Sequence, residues 1–436
     1  DNLSPATAFI QKEPYRGDPA TEHCRHYQEY NTKKIYFGFS CYDSQPDKIV
    51  ATLTKRDASL WHDDAIEIFL DTFHDKRSCY FFMTNLRCAK LDGRISDEGR
   101  VIDDKWDAHW ETASSITPEG WECEIAIPFS EIGYKYKENP VWGVNFYRTQ
   151  KSKREDSYWV NTGENIFAVS QFGEIVGIKL PKTRKKLKFT PYVATRLEQF
   201  NKNTHPEYKN RIGIDVEYSL ASNLIANVTL YPDFAHIEAD QDQFNLSYQK
   251  GEELYIREKR SFFLEGIELL ETPFNLFYTR RMNEIRYGGK LTGKIWHTHL
   301  AVMDIQTKDT DENFSVLRLQ RDILKAGTIG LLATNNESLE GYSRALGLDA
   351  SIPITKEARV NTQICKSLNP QIEDKDWAGL LQIKREAHTF SFGGKYEDIG
   401  ANFNVKQGFI PYYSIDKRGG NIWSTLTYPR NRYGLR

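Results

Sequence analysis

The sequence lacks the features of several large protein classes. Its 436 residues carry a formal net charge of −2, so bulk electrostatics give no indication of a nucleic-acid partner. It contains no apolar run of about 18 residues, the length that a transmembrane helix requires. The six cysteines form neither a CxxC nor a CxxCH motif, which excludes thiol-redox, zinc-ribbon and c-type haem sites of those patterns.

Catalytic fingerprints are also missing. The sequence has no GxSxG, HExxH, P-loop or dinucleotide-binding motif. Glycoside hydrolysis needs two carboxylates on either side of a cleft, about 5 to 10 Å apart, and no acidic pair stands in a recognisable catalytic context. We therefore expect no catalysis.

Aromatic residues are abundant, at 13%, in a chain whose mean hydropathy is −0.61. This combination suits β-structure that exposes one face to water. Short alternating strands with almost no helical periodicity predict a β-sandwich over residues 1–181. The composition changes at the basic stretch PKTRKK, so we place a solvated linker at residues 182–189 and a second domain at residues 190–436.

The stretch from Trp61 to Asp71 contains the main candidate site. Its second half alternates in the manner of a strand with one aliphatic and one mixed face. A Trp beside polar groups suits a sugar ring, because the indole matches the C–H face of a pyranose while its neighbours bind hydroxyls. Carboxylates near strand ends are hard oxygen ligands, so Asp63, Asp64 and Asp71 are predicted to bind calcium. The alternative is that Trp61 caps a core and the carboxylates form a solvated edge.

After Lys188 a strict alternation begins. In Arg211–Leu220 apolar residues alternate with Gly, Asp, Glu and Ser, and similar segments recur as far as residue 396. This predicts an antiparallel up-and-down meander, and residues 188–436 would supply roughly ten to twelve strands. A soluble barrel has its apolar face inside and an outer-membrane barrel has it outside, and periodicity alone does not distinguish them.

An irregular segment, about residues 232–283, interrupts the meander. It is long for a plain loop, so we expect a plug or a functional loop. Glu258, Arg260 and Glu265 are candidates for buried ion pairs that support a plug. A cation site formed by the acidic residues that precede Asn245 is the alternative.

Several motifs carry a resemblance to known families. The first domain resembles the family 9 carbohydrate-binding modules in the segments Asp64–Asp71, Tyr80–Asn85, Trp106–Trp110, Gly120–Pro128, Trp142–Phe146 and Phe172–Glu174. The whole chain resembles poorly characterised proteins of Bacteroidetes-like Gram-negative bacteria in the segments Tyr231–Phe234, Glu238–Asp240, Glu258–Gly266 and Leu276–Arg281. The resemblance implies an all-β fold with a jelly-roll-like β-sandwich, followed by an antiparallel up-and-down β-barrel of outer-membrane type. We expect that barrel to be incomplete in this chain.

The same resemblance implies a site where two aromatic rings clamp a terminal sugar and polar groups bind its hydroxyls. The carbohydrate-binding residues that it indicates are Trp61, Glu67, Asn85, Arg87, Asn165 and Phe167. Members of the same structural clan bind haem b instead. No pattern singles out Met83, His62 or His109 as axial ligands, so haem is not expected, and Ca²⁺ is the cofactor that the sequence suggests.

Together these features predict non-catalytic glycan binding by the sandwich, anchored by an outer-membrane barrel, for glycan capture or uptake. The expected partners are an oligosaccharide or polysaccharide, outer-membrane lipid and a protein of a membrane complex, without nucleic acid. The expected location is the outer membrane, with the sandwich periplasmic or at the cell surface. One alternative is a structural or assembly protein whose sandwich docks a protein partner. Another is an accessory part of a glycoside-hydrolysing system, where family association would suggest O-glycosyl hydrolysis as the only activity.

Overall fold

The computed structural model divides into two compact units, Asp1–Arg184 (unit 1) and Lys185–Arg436 (unit 2). The structure describes residues 8–96, 98–99, 101–104, 106–163, 165–181, 187–198, 207–221, 223–232, 255, 258, 260–264, 266–282, 284–308, 310–324, 327–339, 341–355, 357–370, 374–387, 390–410 and 416–426. Residues 182–186 of the predicted linker, Glu265 and the acidic residues before Asn245 lie outside these ranges.

The described residues of unit 1 form twelve strands and three short 3-10 turns. The strands are β1 (Ile10–Glu13), β2 (Cys24–Tyr30), β3 (Lys34–Tyr42), β4 (Ala65–Asp71), β5 (Cys79–Asn85), β6 (Lys90–Ser96), β7 (Val101–Asp103), β8 (Glu111–Thr117), β9 (Gly120–Pro128), β10 (Trp142–Gln150), β11 (Glu155–Tyr158) and β12 (Gly173–Ile175). The 3-10 turns are Pro46–Lys48, Leu60–His62 and Val169–Gln171.

These strands form a β-sandwich of two antiparallel sheets. The smaller sheet has the order β2-β3-β9-β8, and the larger has the order β1-β11-β10-β4-β5-β6-β7, with β12 paired to β10. Ile66, Ile68 and Leu70 of β4 share the core between the sheets with residues of β3 and β9. Phe69 belongs to a second cluster, on the outer face of the larger sheet. The two faces of β4 are therefore the aliphatic and the mixed face that the alternation predicted.

Twelve further strands lie in the part of unit 2 that the structure describes. They are β13 (Leu187–Glu198), β14 (Glu207–Ala221), β15 (Leu224–Leu230), β16 (Ile285–Ile295), β17 (Thr298–Thr307), β18 (Asn313–Ile323), β19 (Gly327–Ser338), β20 (Gly341–Pro353), β21 (Ala358–Leu368), β22 (Trp377–Arg385), β23 (Phe390–Ile399) and β24 (Lys417–Leu426). Its helical elements are α1 (Ser261–Leu264) and the 3-10 turns Ile267–Leu269 and Thr279–Arg281. No helix in the described ranges of the chain has the length and apolar character needed to cross a membrane.

The strands of unit 2 form one antiparallel sheet in sequential order from β13 to β24. This confirms the all-β fold class, with a sandwich followed by an up-and-down meander. Within the described residues β13 pairs only with β14 and β24 only with β23, so the sheet is not closed there, in agreement with the expectation of an incomplete barrel. The first strand begins at Leu187, inside the range predicted as linker.

Strands β20 and β21 show how the alternating residues are distributed between the two faces of this sheet. Ala345 and Gly347 are buried on one face. Leu346 and Leu348 lie on the other face and are 46% and 56% exposed, and Ile364 of β21 is 64% exposed. Large apolar side chains of these two strands therefore point outward while small or polar residues face the covered side.

The covered face of the sheet is packed by residues 258–282, which we call the plug segment. Phe262 and Leu276 of this segment belong to one core cluster with residues of the sheet. The predicted ion pair between Arg260 and Glu258 is present, with Arg260 Nη2 2.7 Å from Glu258 Oε2 and both side chains buried. The irregular stretch is thus a packed part of unit 2 in its described residues.

Candidate functional site

A cavity of about 460 Å³ lies on the outer face of the larger sheet of unit 1. Its volume is in the range that small-molecule sites occupy. It is lined by Lys12, Asp57, Ala58, Ser59, Trp61, Glu67, Phe81, Leu91, Ile95, Ile102, Asp104, Tyr147, Asp156, Ile166 and Phe167. Of the six predicted carbohydrate-binding residues, the structure brings three to this cavity: Trp61, Glu67 and Phe167.

Glu67 stands at the middle of β4, between Tyr147 on β10 and Met83 on β5. Its side chain is almost fully buried, and neither carboxyl oxygen has a hydrogen-bond partner among the described residues. Burial raises the pKa of Glu67 well above its usual range, and the nearby charge of Lys12 opposes this shift. A buried carboxyl group without partners is costly, so this position favours a ligand that hydrogen-bonds to it.

Aromatic rings flank this carboxyl group. Trp61 belongs to the turn Leu60–His62, is half-buried and meets Tyr147 edge to face, with the ring centroids 6.1 Å apart. Phe81 of β5 also lines the cavity. Sequence reasoning missed Tyr147 and Phe81. Alternation along β10 places Tyr147 on the face opposite Phe146, but the pairing of β10 with β4 joins segments far apart in the sequence and is not readable from it.

Phe167 lies on the loop before the 3-10 turn Val169–Gln171 and forms one wall of the cavity. Its ring packs edge to face on Phe69, with the ring centroids 5.9 Å apart. Asn165 does not line the cavity but holds this loop. Its Oδ1 accepts the backbone N–H of Phe167 at 3.0 Å, and its Nδ2 donates to the Glu98 carbonyl at 2.7 Å. Gly99 has φ +85°, and a Cβ there would lie 2.5 Å from Phe167 Cβ, so the close approach of the two segments requires glycine.

Asn85 and Arg87 are not brought to the cavity. Asn85 is fully buried, and its Nδ2 donates to the Leu53 carbonyl and to Asp63 Oδ2, both at 2.8 Å. Its Oδ1 accepts backbone N–H groups of the turn that follows β5. Arg87 is exposed and donates from Nε to the Ala51 carbonyl at 2.7 Å. Both side chains therefore fix the loop that carries Trp61, because their polar atoms are engaged by the protein itself.

The three predicted calcium ligands are not brought together. Asp71 ends β4 and Asp63 and Asp64 precede it, which puts them roughly 20 Å apart along the strand. Asp63 and Asp64 accept backbone N–H groups of residues 50–53 at 2.6–3.0 Å, and Asp71 accepts those of residues 75–76 at 2.8–3.1 Å. These residues do not fit a shared calcium ion, because each carboxylate holds a separate piece of backbone.

The pKa values of these aspartates reflect that role. Burial raises the pKa of Asp64 to about 6, and burial together with the charge of Asp75 raises that of Asp71 to about 7. Asp63 differs, because hydrogen bonds from the backbone of Leu53 and Thr52 outweigh its burial and lower its pKa. The loop before Trp61 is thus held by an ionised carboxylate.

A cluster of three aspartates also lies near the cavity, since one of them, Asp57, lines it. Among the described residues, Asp57, Asp92 and Asp107 are the acidic residues whose oxygens all lie within 4.8 Å of one another. The guanidinium group of Arg56 is 3.7, 2.5 and 2.7 Å from these three carboxylates, respectively. Arg56 already compensates their charge, so the group is an ion-pair network.

The residues considered as haem ligands differ in their surroundings. Met83 is fully buried in the cluster on the outer face of the larger sheet. His62 and His109 are exposed. None of the three lines the cavity.

Comparisons with known proteins bear on unit 1 and on part of unit 2. Residues 24–176 match the family model described as carbohydrate family 9 binding domain-like, and residues 181–294 match a domain of unknown function, DUF5916. No curated protein matches the chain.

Three solved structures are similar to parts of the chain. A family 9 carbohydrate-binding module from Caldicellulosiruptor kristjanssonii in complex with glucose is 18% identical, over 42% of this chain and 86% of that one, with a TM-score of 0.30. A Bacteroides uniformis protein to which carbohydrate binding is attributed is 15% identical, over 39% and 86%, with a TM-score of 0.31. OccK7 (OpdD) of Pseudomonas aeruginosa is 9% identical, over 85% and 79%, with a TM-score of 0.28. The family match is the more informative finding, because Trp61, Glu67 and Phe167 all lie within residues 24–176, the carbohydrate family 9 binding-domain-like region of unit 1.

Proposed function

We propose that unit 1 binds a carbohydrate at the Glu67 cavity without cleaving it, and that unit 2 anchors the protein in the outer membrane. The role would be glycan capture or uptake. The observation that carries the binding proposal is the buried carboxyl group of Glu67, which has no hydrogen-bond partner among the described residues. Sugar hydroxyls supply hydrogen bonds at this point and offset the cost of burying the group.

The walls of the cavity support the same proposal. Trp61 and Phe167 offer apolar surfaces suited to the C–H faces of a pyranose. The match of residues 24–176 to the carbohydrate family 9 binding-domain-like model adds independent support.

Calorimetry with a panel of oligosaccharides tests the proposal on the full chain in detergent. We expect at least one oligosaccharide to bind, and Trp61→Ala to weaken it by roughly 10- to 100-fold, the effect of losing a stacking platform of about 1.5–3 kcal/mol. Trp296→Ala is the matched control, because Trp296 is 91% exposed in unit 2 and should leave binding unchanged. Absence of heat with every oligosaccharide would refute carbohydrate binding.

The membrane part of the proposal rests on the outward face of β20 and β21. Leu346, Leu348 and Ile364 expose large apolar side chains, while Ala345 and Gly347 face the covered side. Leu348 and Ile364 are opposite each other on the paired strands. Exposed large apolar side chains are unfavourable in water but suit lipid, where strands alternate apolar residues outward with small or polar residues inward.

Electrophoresis in SDS with and without boiling tests the anchor. A membrane-inserted sheet that closes in the native protein resists cold SDS, so we expect a heat-dependent shift in mobility and recovery in the outer-membrane fraction. A protein recovered in the soluble fraction without a shift would contradict the anchor but would leave carbohydrate binding by unit 1 intact.

A further inference from the structure

We infer that the saccharide bound in the Glu67 cavity carries a positively charged amine, so that the ligand class is amino sugars. This inference rests on the proposed carbohydrate-binding function and specifies its ligand.

The ionisable side chains that line the cavity are mostly acidic. Asp57, Glu67, Asp104 and Asp156 contribute four carboxyl groups, and Lys12 is the one basic side chain among the described residues of the lining. A cavity with this balance attracts a cation, repels an acidic sugar and is indifferent to the charge of a neutral one.

Two of the other acidic residues have a basic side chain within ion-pair distance, and Glu67 has none in the part of the chain that the structure describes. Asp57 lies 3.7 Å from Arg56, and Asp156 lies 3.3 Å from Lys151. The two oxygens of Glu67 have no hydrogen-bond partner among the described residues, and the side chain is 1% exposed. A neutral hydroxyl would supply a hydrogen bond, whereas an ammonium group would supply hydrogen bonds together with a positive charge in contact with the carboxyl group, on which Lys12 acts without a hydrogen bond.

The aromatic lining favours the same kind of group. Trp61, Phe81, Tyr147 and Phe167 all line the cavity, and the faces of such rings attract cations within about 6 Å. Lys12 shows this attraction within the site itself, because its Nζ lies 5.7 Å from the centroid of the Tyr147 ring. Aromatic rings around a buried carboxyl group form a site that distinguishes an ammonium from a hydroxyl.

The test compares three tetrasaccharides by calorimetry on the full chain in detergent at pH 6, where the amine is protonated. They are β-1,4-linked glucosamine, its N-acetylated form and β-1,4-linked glucose, which have the same backbone and differ at one substituent. We expect the glucosamine oligomer to bind on the order of tenfold or more tightly than either neutral oligomer.

Variants assign the preference to the cavity. Glu67→Gln keeps the size of the side chain and should reduce the preference to within about twofold. Asp104→Asn, at an exposed position of the cavity rim, should reduce it by a smaller factor. Glu29→Gln makes the same charge change at an exposed position on β2 in the other sheet and should leave the preference intact.

The outcomes separate the two proposals. Equal or tighter binding of a neutral oligomer would overturn the inference and leave carbohydrate binding standing. A preference for glucosamine that survives in Glu67→Gln would also overturn it, because the selectivity would then come from the general surface charge. If none of the three oligomers binds, the inference falls, and the wider oligosaccharide panel decides whether carbohydrate binding stands.

Discussion

Because Glu67 is buried, ligand binding at its carboxyl group depends on the protonation state of that group. Its pKa is raised well above the usual range because the carboxyl group is removed from water, so the protonated form is favoured while the cavity holds no partner for it. A ligand that donates hydrogen bonds to the carboxylate stabilises the ionised form and lowers the pKa again. Binding then releases a proton, and affinity rises with pH until the pKa of the ligand-free protein is passed.

We therefore predict proton release on binding, which Glu67→Gln removes. Calorimetric titrations of one oligosaccharide, carried out at one pH in two buffers of different ionisation enthalpy, measure the number of protons exchanged. Release that is the same in the wild type and in Glu67→Gln would show that another group titrates.

Asn165 has a positioning role that its residue type does not reveal. The sequence identified it as a carbohydrate ligand, but the structure uses its amide to join Phe167 to the carbonyl of Glu98. The same distinction applies to Asn85 and Asp63, whose polar atoms hold the loop before Trp61. A polar residue near an aromatic one has the same appearance in sequence whether it binds a ligand or supports the ring that does.

For Asn165→Ala we predict weaker sugar binding by about three- to tenfold, because losing two hydrogen bonds of about 1 kcal/mol in total loosens the Phe167 loop. Asn31→Ala is the control, since Asn31 Oδ1 accepts the backbone N–H groups of Lys33 and Lys34 in a turn elsewhere in unit 1. Both variants should lose similar stability in denaturant, and only Asn165→Ala should lose affinity. Unchanged affinity in Asn165→Ala would contradict the positioning role.

At the scale of elements, alternation predicted the strands with clear inside and outside faces. Aromatic enrichment in Lys34–Tyr42 and alternation in Gly120–Pro128 predict strands, and these segments appear with the same bounds as β3 and β9. The sequence does not indicate β1, β2, β6, β7 or β11, and it suggests a polar turn near Asp92-Gly93, within β6. In Cys24–Tyr30 only Cys24 and His26 are buried, and the other residues are polar or aromatic and lie toward water. The segment therefore lacks the alternation of apolar and polar residues by which a strand is recognised in sequence.

The plug segment illustrates an element whose packing depends on a glycine. A Cβ added at Gly347 of β20 would lie 2.7 Å from Leu276 Cδ1. Phe274 nearby donates its backbone N–H to Gln363 Oε1 at 2.6 Å, which fixes the segment against β21. The sequence indicates that the segment is long and irregular. It does not indicate which strands the segment packs against, because these contacts join residues far apart in the chain.

We predict that Gly347→Ala loosens the plug segment, because the added methyl group forces Leu276 aside at a cost of about 1–3 kcal/mol. Hydrogen exchange measured by mass spectrometry should become faster in residues 266–282. Gly289→Ala on β16 is the control, since a Cβ there meets nothing within 4 Å. Equal exchange in the two variants would show that Gly347 is not needed for this packing.

At the scale of the whole molecule, sequence predicted the order of a sandwich and a meander, and the two compact units of the structure divide at residues 184 and 185. It did not predict which face of the meander is covered, because a strand repeats every two residues whichever way it faces. The packing of the plug segment distinguishes the faces in β20, where Leu346 and Leu348 are exposed and Ala345 is buried.

A matched pair of charge substitutions tests whether that outward face meets lipid. We predict that Leu348→Arg lowers the amount of protein assembled in the outer membrane, because an Arg on a lipid-facing strand costs about 2–4 kcal/mol at the midplane. Leu339→Arg, at a 93% exposed position between β19 and β20, should be tolerated. Equal membrane yields for the two variants would indicate that Leu348 faces water.

The most direct test of the central claim is an experimental structure of the protein with a bound oligosaccharide. We expect one sugar ring between Trp61 and Phe167, with a substituent of that ring within hydrogen-bond distance of the Glu67 carboxyl group. A sugar bound elsewhere on unit 1, with Glu67 still without a partner, would contradict it.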